Sequence, residues 1–315
     1  MGRPLHVYYD TRLAPITFDF GSYLVVADAE RQARGLDSLS LHLHRPAFRN
    51  RTIREQTYDD DMKDWRFQHI LLAIPSLLPS VSAVEWSRAS PHQIQFPSFP
   101  LSYPPRSKNE ASDSIPYLSN ALNKYRDEAI DLRPYKAKDQ AGLFAKKLCD
   151  VRGNRGLITI SLRTSTQQLQ RNSSLDSWYE VYKELADQGF DVFVIPDFED
   201  ITGNRQHNNY DWRVLPAATF DLDLRLGLYS IAKLNLGVLN GVLVPLFHSK
   251  YPYLIFKPNV EEIHQTTRAW LKRVFGIEQG ESFWWSGRGQ RLSWSDDNDS
   301  KVILDSIQSI MDAGL

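Results

Sequence analysis

The sequence predicts two α/β domains, each a parallel β-sheet covered by helices on both faces. Three observations carry this. Short apolar runs alternate with helical spacings through both halves of the 315-residue chain, the pattern of strand–helix–strand units whose strands run parallel. A stretch crowded with Pro and Ser and lacking a sustained period, residues 91–116, interrupts that alternation. From residue 157 the alternation resumes more cleanly. Together they place an N-terminal domain over 1–150 and a C-terminal domain over 151–315, with the last helix free to cross back to the first.

In the first half, Leu5–Tyr9 is the first strand. The apolar spacing of Asp19–Arg34 is helical, with Gly35 as its stop. Leu39–Leu43 is a second strand, Asp60–Leu72 a helix opened by acidic residues that suit its dipole, and Val81–Trp86 a third strand. Helices are expected at about 117–130 and 138–149. In the second half, strand 157–162 leads through a polar loop to a helix over 175–188, with Ser173 or Ser174 as its cap and Gly189 as its end. Phe190–Ile195 is a strand delivering Pro196-Asp197, and Asp221 or Asp223 opens the next helix. NLGVLNG is a short strand and turn before a helix at VLVPLFHS, where Pro245 falls in the first turn. Tyr253–Phe256 is the next strand, and an amphipathic helix begins after Asn298.

Composition narrows the function. An apolar fraction of 42% and a net charge of about -1 describe a globular protein without the basic field that nucleic acid requires. The single Cys149 excludes an internal disulfide and favours a reducing compartment. The opening residues lack a signal-peptide core and no apolar run reaches membrane-span length, so a cytoplasmic protein without a membrane span is expected.

The chemistry-bearing residues gather after the predicted strands of the second half. In an open α/β sheet, ligands bind where loops and helix N-termini converge at the strands' carboxyl ends. Arg163 comes just after one such strand, and Arg171-Asn172 closes the same loop. Two guanidinium forks and a helix N-terminus suit a diphosphate; equally, two surface arginines pair with nearby carboxylates. Asn240-Gly241 permits close backbone approach to a ligand, or is an ordinary tight turn. Asp197, at the end of the intervening strand, either accepts from a sugar hydroxyl, steadies one of the arginines, or caps the next turn.

The run ITISLR, RNSSLDSWYEVYKEL, FDVFVIPD, LYSIAKLNLGVLNGVLVPLFHS and YPYLIFK resembles the nucleotide-sugar-binding domain of GT-B glycosyltransferases. Heptosyltransferase-like and fucosyltransferase-like members are the nearest in pattern. The resemblance spans about residues 157–257 and implies two Rossmann-like domains facing a cleft. It also implies a basic role for Arg163 and Arg171 and a donor-turn role for Asn240-Gly241. The fucosyltransferase-like His-x-Arg appears here as Ser161-Leu162-Arg163, and the heptosyltransferase-like turn as Asn240-Gly241-Val242, so the donor is not specified.

An inverting transferase needs a base for the acceptor hydroxyl. By the same resemblance Asp19, opening the first helix, is the candidate, with Asp10 second; the bland reading makes Asp19 an N-cap. His42 and His44 share one strand face and read as surface residues rather than metal ligands. Asp221-Leu222-Asp223 reads as helix capping. Phe283-Trp284-Trp285 and the basic segment 288–294 either line a cleft or pack between domains. The expectation is a metal-independent glycosyltransferase, with no cofactor, using a nucleotide-diphosphate sugar and a glycan or lipid-linked acceptor. The rival is a non-catalytic nucleotide- or glycan-binding protein on the same scaffold.

Overall fold

A computed structural model describes residues 3–11, 14–45, 58–88, 102–103, 121–151 and 154–314. The chain divides into two compact units, Met1–Tyr135 and Lys136–Leu315, each built on a parallel sheet.

In the first unit, strands β1 (Pro4–Asp10), β2 (Ser38–His44), β3 (Val81–Ser87) and β4 (Ser102–Tyr103) pair in the order β3-β2-β1-β4. Helix α1 (Asp19–Ala33) buries an unbroken run from Phe20 to Ala29, so it lies covered by neighbours on every side. Gly35, at φ 62, takes the left-handed turn that ends it. Helix α2 (Asp60–Arg66) is capped by Asp59, whose carboxylate accepts from the Met62 amide at 2.7 Å. The expected continuation to Leu72 is a wider π-type turn, Phe67–Leu71.

The stretch 91–116 lies outside the described residues except for β4, which pairs with β1. Of the helix expected at 117–130, the described part is turns around a single short 3-10 turn, Asn123–Tyr125. That segment is held to α1 by Glu30, which accepts from the Tyr125 hydroxyl at 2.5 Å and Lys124 at 2.9 Å, and pairs with Arg34.

The second unit opens with α3 (Asp139–Cys149). Its remaining elements are β5 (Leu157–Ser161), α4 (Leu175–Asp187), β6 (Asp191–Ile195), α5 (Ala217–Phe220), α6 (Leu222–Ile231) and β7 (Leu234–Val238), then α7 (Val244–Phe247), β8 (Tyr253–Phe256), α8 (Arg268–Phe275), β9 (Gln290–Leu292) and α9 (Ser300–Asp312). The sheet order is β6-β5-β7-β8-β9, all parallel. Every residue of β5, β6, β7 and β8 is buried, as a sheet covered on both faces requires.

Two expectations need correction. The units part at Tyr135/Lys136 rather than near 150, because α3 packs against α6 of the second unit. The packing is close: a Cβ on Gly227 would stand 2.6 Å from the Ala141 carbonyl carbon. The last helix does not leave its own unit. Its Ile303, Ile307 and Ile310 are buried in the core formed by Ile158, Ile160, Trp178 and Val194.

Burial alone would raise the Glu30 carboxyl, but the Tyr125, Lys124 and Arg34 hydrogen bonds outweigh it and hold it at about 2, against an ordinary 4.5. Folded Glu30 therefore binds its proton less tightly than the unfolded chain does, and stability is lost as the pH is lowered across that interval. Urea unfolding between pH 4.5 and 2 is expected to show a decline that Glu30→Gln flattens.

Candidate functional site

β5 is the hinge of the topology. The chain leaves it to form β6 on one side and later β7 on the other, so the loops after β5 and β7 diverge from adjacent strands. A crevice opens at such a switch point, and ligands of open α/β sheets bind there. The seam is tight: a Cβ on Gly237 of β7 would come within 2.7 Å of the Ser161 carbonyl oxygen. Arg163, Arg171 and Asn172 lie in the β5–α4 loop, Asp197 just after β6, and Asn240 and Gly241 just after β7. The structure thus brings all six predicted binding residues to the carboxyl edge of one sheet.

Their states differ. Arg163 is buried and its guanidinium binds its own loop, donating to the Gln168 carbonyl at 3.2 Å, the Gln167 carbonyl at 2.7 Å and the Asn172 side-chain oxygen. Ser173 closes the loop's base, its hydroxyl accepting from the Arg163 amide at 2.9 Å. Arg163 therefore shapes the loop. Arg171 is more open and spans the crevice, donating to the Leu239 carbonyl of the β7 loop at 3.1 Å and to Gln168 at 2.8 Å.

Asp197 accepts from the Thr164 amide at 3.2 Å. Burial pushes its carboxyl above the usual range, against the pull of that amide and of the Arg163 charge. Glu199 anchors the loop tip through the Thr166 amide at 2.5 Å. Asn240 is extended and precedes a short 3-10 turn and the one-turn α7, not the longer helix expected. Among the described residues, the buried Thr164 hydroxyl and Asn240 side-chain oxygen at this edge have no hydrogen-bond partner. Buried polar atoms without partners are rare. A ligand bearing hydroxyl or amide donors would satisfy both.

Three contributors were not singled out from sequence. Arg225 is buried, holding Tyr229 at 2.7 Å and the Ser161 hydroxyl at 3.4 Å, with no carboxylate against it among the described residues. It places a positive charge beneath the end of β5. Lys257, after β8, donates to the Asn172 carbonyl at 3.0 Å and pairs with Asp296 and Asp297. Asp297 is fully buried and accepts from the Ser174 amide at 2.9 Å and the Trp178 indole at 2.8 Å. The α4 N-terminus, expected to offer its amides to a phosphate, is thus faced by the chain's own carboxylate. The one visible signal was the lysine closing the strand YPYLIFK.

In the first unit, Asp19 is the first residue of α1, not its cap. Phe18 holds the cap position without a side-chain bond, and the Thr17 hydroxyl donates to Asp19 at 3.0 Å. Asp10 ends β1 and meets His44 Nδ1 at 3.1 Å. His44 is buried, contrary to its expected surface position, and its Nε2 has no hydrogen-bond partner among the described residues. His42 stacks on Tyr8 with ring centres 4.8 Å apart and meets His6 at 2.9 Å. All lie along or beyond the carboxyl ends of β1 and β2 or between those strands.

The remaining motifs are structural. Asp221 caps α6 by accepting from the Leu224 amide at 2.9 Å, and Asp223 pairs with Lys138. Phe283 and Trp285 stack in the second unit with ring centres 4.7 Å apart, and Gln290–Leu292 is edge strand β9. Burial pushes the Cys149 thiol up to about 11, which makes it inert.

No family model and no curated protein matches this chain. Among solved structures it is similar to a glycosyl transferase family 9 protein from Veillonella parvula DSM 2008, at 10% identity and TM-score 0.49 over 97% of this chain and 89% of that one. It is similar to E. coli ADP-heptose LPS heptosyltransferase II at 9% identity and TM-score 0.49 over 98% of each. For E. coli heptosyltransferase WaaC with ADP the values are 12% and 0.46, over 97% and 99%. Identities this low transfer neither substrate nor site residues.

Removing Asp297 would take the buried carboxylate from Lys257, leaving it Asp296 and the Asn172 carbonyl, and uncover the Ser174 amide and the Trp178 indole. Asp297→Ala is expected to cost about 3 kcal/mol in urea unfolding, the scale for breaking a buried pair. Asp297→Asn, which keeps an oxygen for Ser174, should cost visibly less.

Proposed function

We propose that this protein is a glycosyltransferase that moves a sugar from a nucleotide-diphosphate donor to a glycan or lipid-linked acceptor, without a bound metal, in cytoplasmic polysaccharide biosynthesis. One observation carries the proposal. The switch point at β5 and β7 gathers Arg171, Thr164 and Asn240, two of them with unsatisfied buried polar atoms, over the buried charge of Arg225.

The donor would lie across the β5 and β7 loops. Arg171 would take the diphosphate, whose negative charge grows as the sugar–phosphate bond breaks, and Arg225 would add a fixed positive field from below. Thr164 and Asn240 would orient hydroxyl groups. Arg163 would act indirectly, by fixing the loop that carries Arg171. The acceptor hydroxyl needs a proton acceptor, and Asp19 is assigned that role, with the Asp10–His44 pair as the second base at the same edge.

Arg171→Ala is expected to weaken nucleoside-diphosphate binding by about 1.5–3 kcal/mol, the worth of a charge-assisted hydrogen bond. Calorimetry against UDP, ADP and GDP measures this, and unaltered affinity in a folded variant counts against the cradle. Arg163→Ala is a poorer test, because three acceptors in its loop would lose their donor.

Asp19→Asn keeps the Thr17 hydrogen bond and should change stability by less than about 1 kcal/mol, while turnover falls about 10²-fold. Full activity in Asp19→Asn with loss in Asp10→Asn would move the base to the Asp10–His44 pair. Nucleotide binding with no transfer across a donor and acceptor panel would favour the non-catalytic rival.

A further inference from the structure

Helix α3 is amphipathic in an inverted sense. Its inner face is made of small residues, Ala141, Gly142, Ala145 and Cys149, and it packs so closely on α6 that Gly142 and Gly227 have little or no room for a side chain. Its large apolar residues point the other way. Leu143 is 62% exposed, Phe144 56% and Leu148 45%.

At 100° per residue these three fall on one arc with Lys147 between them and Lys146 at its margin. Lys136 and Lys138 stand at the helix's N-terminal end, Lys138 paired with Asp223, and residues 136–149 carry four lysines against one aspartate, Asp139. Scattered exposed apolar residues need no explanation. Two leucines and a phenylalanine on one helical face, with lysines within and beside them, do need one.

We propose that this face of α3 docks on an anionic lipid bilayer surface. The charge pattern selects the partner. Leu and Phe enter the boundary between headgroups and acyl chains, and the lysines within and beside them snorkel to the phosphates. A protein partner of ordinary chemistry offers no reason for lysines set within and beside the apolar strip. The contact lies along the surface and is no span: among the described residues no helix is long and apolar enough to cross a membrane. The inference is independent of the proposed chemistry, and its test needs no substrate.

The test is co-sedimentation of the full chain with phosphatidylcholine vesicles, with and without phosphatidylglycerol. Binding is expected only to the phosphatidylglycerol-containing vesicles, and it should weaken with added salt. Lys146→Glu and Lys147→Glu should each lower it at least about fivefold, the weight of one lysine near an anionic surface. The double change Leu143→Ser with Phe144→Ser should abolish it while leaving the melting temperature of the exposed helix's unit unmoved. Absence of vesicle binding would overturn the proposal, as would binding indifferent to both sets of substitutions. So would a dimer, seen by light scattering, that the Leu143/Phe144 change dissolves, since the face would then be a contact between copies of the chain.

Discussion

The second unit is organised around the carboxylate of Asp297. A charge with no exposure must be neutralised and hydrogen-bonded from within the protein. Asp297 meets that demand with the Ser174 amide, the Trp178 indole and the Lys257 ammonium. Two partners belong to α4, Ser174 at its cap and Trp178 on its buried face, and the third follows the end of β8. Lys257 passes the constraint on, through the Asn172 carbonyl, to the loop that Asn172 and Arg163 hold together. The loop carrying Arg171 is therefore set from below by one anion. The electrostatic consequence is that α4 does not present an unmatched positive end to the crevice; the positive charge available there comes from side chains.

Much of the architecture was legible in the sequence because it depends on local rules. Gly35 and Gly189 stop helices with the left-handed turn that only glycine takes easily. The apolar runs that became β5 and β6 are short, β-branched and bounded by turn residues, and they read as strands for that reason. The hidden features depend on partners far along the chain. Arg163 was visible as a charge, but its acceptors are largely backbone carbonyls, which leave no mark on residue identity. His44 looked like a surface residue because nothing near it in sequence announces Asp10.

Helix α3 shows a different limit. Periodicity equates large apolar residues with burial, and at 138–149 it finds the helix while that equation fails for its faces. Close contact with α6 demands small residues inside, and the sizes invert. The same close packing moved the domain boundary, since the helix before residue 150 belongs to the C-terminal unit. Edge strand β9 was missed because RGQRLSW has no clean alternation, and an edge needs none when a single neighbour, β8, supplies its pairing.

The reliance of α4 on Asp297 has a consequence for how the chain acquires its fold as it is made. Ser174 and Asp297 are separated by 123 positions. During synthesis, α4 and strand β5 emerge before α9, with the Trp178 indole unsatisfied and the face later covered by Ile303, Ile307 and Ile310 open to solvent. Contacts this distant close late and leave apolar surface exposed in the interim. The nascent second unit is thus the period of greatest hazard for aggregation, and a chaperone that shelters apolar surface would find its target there.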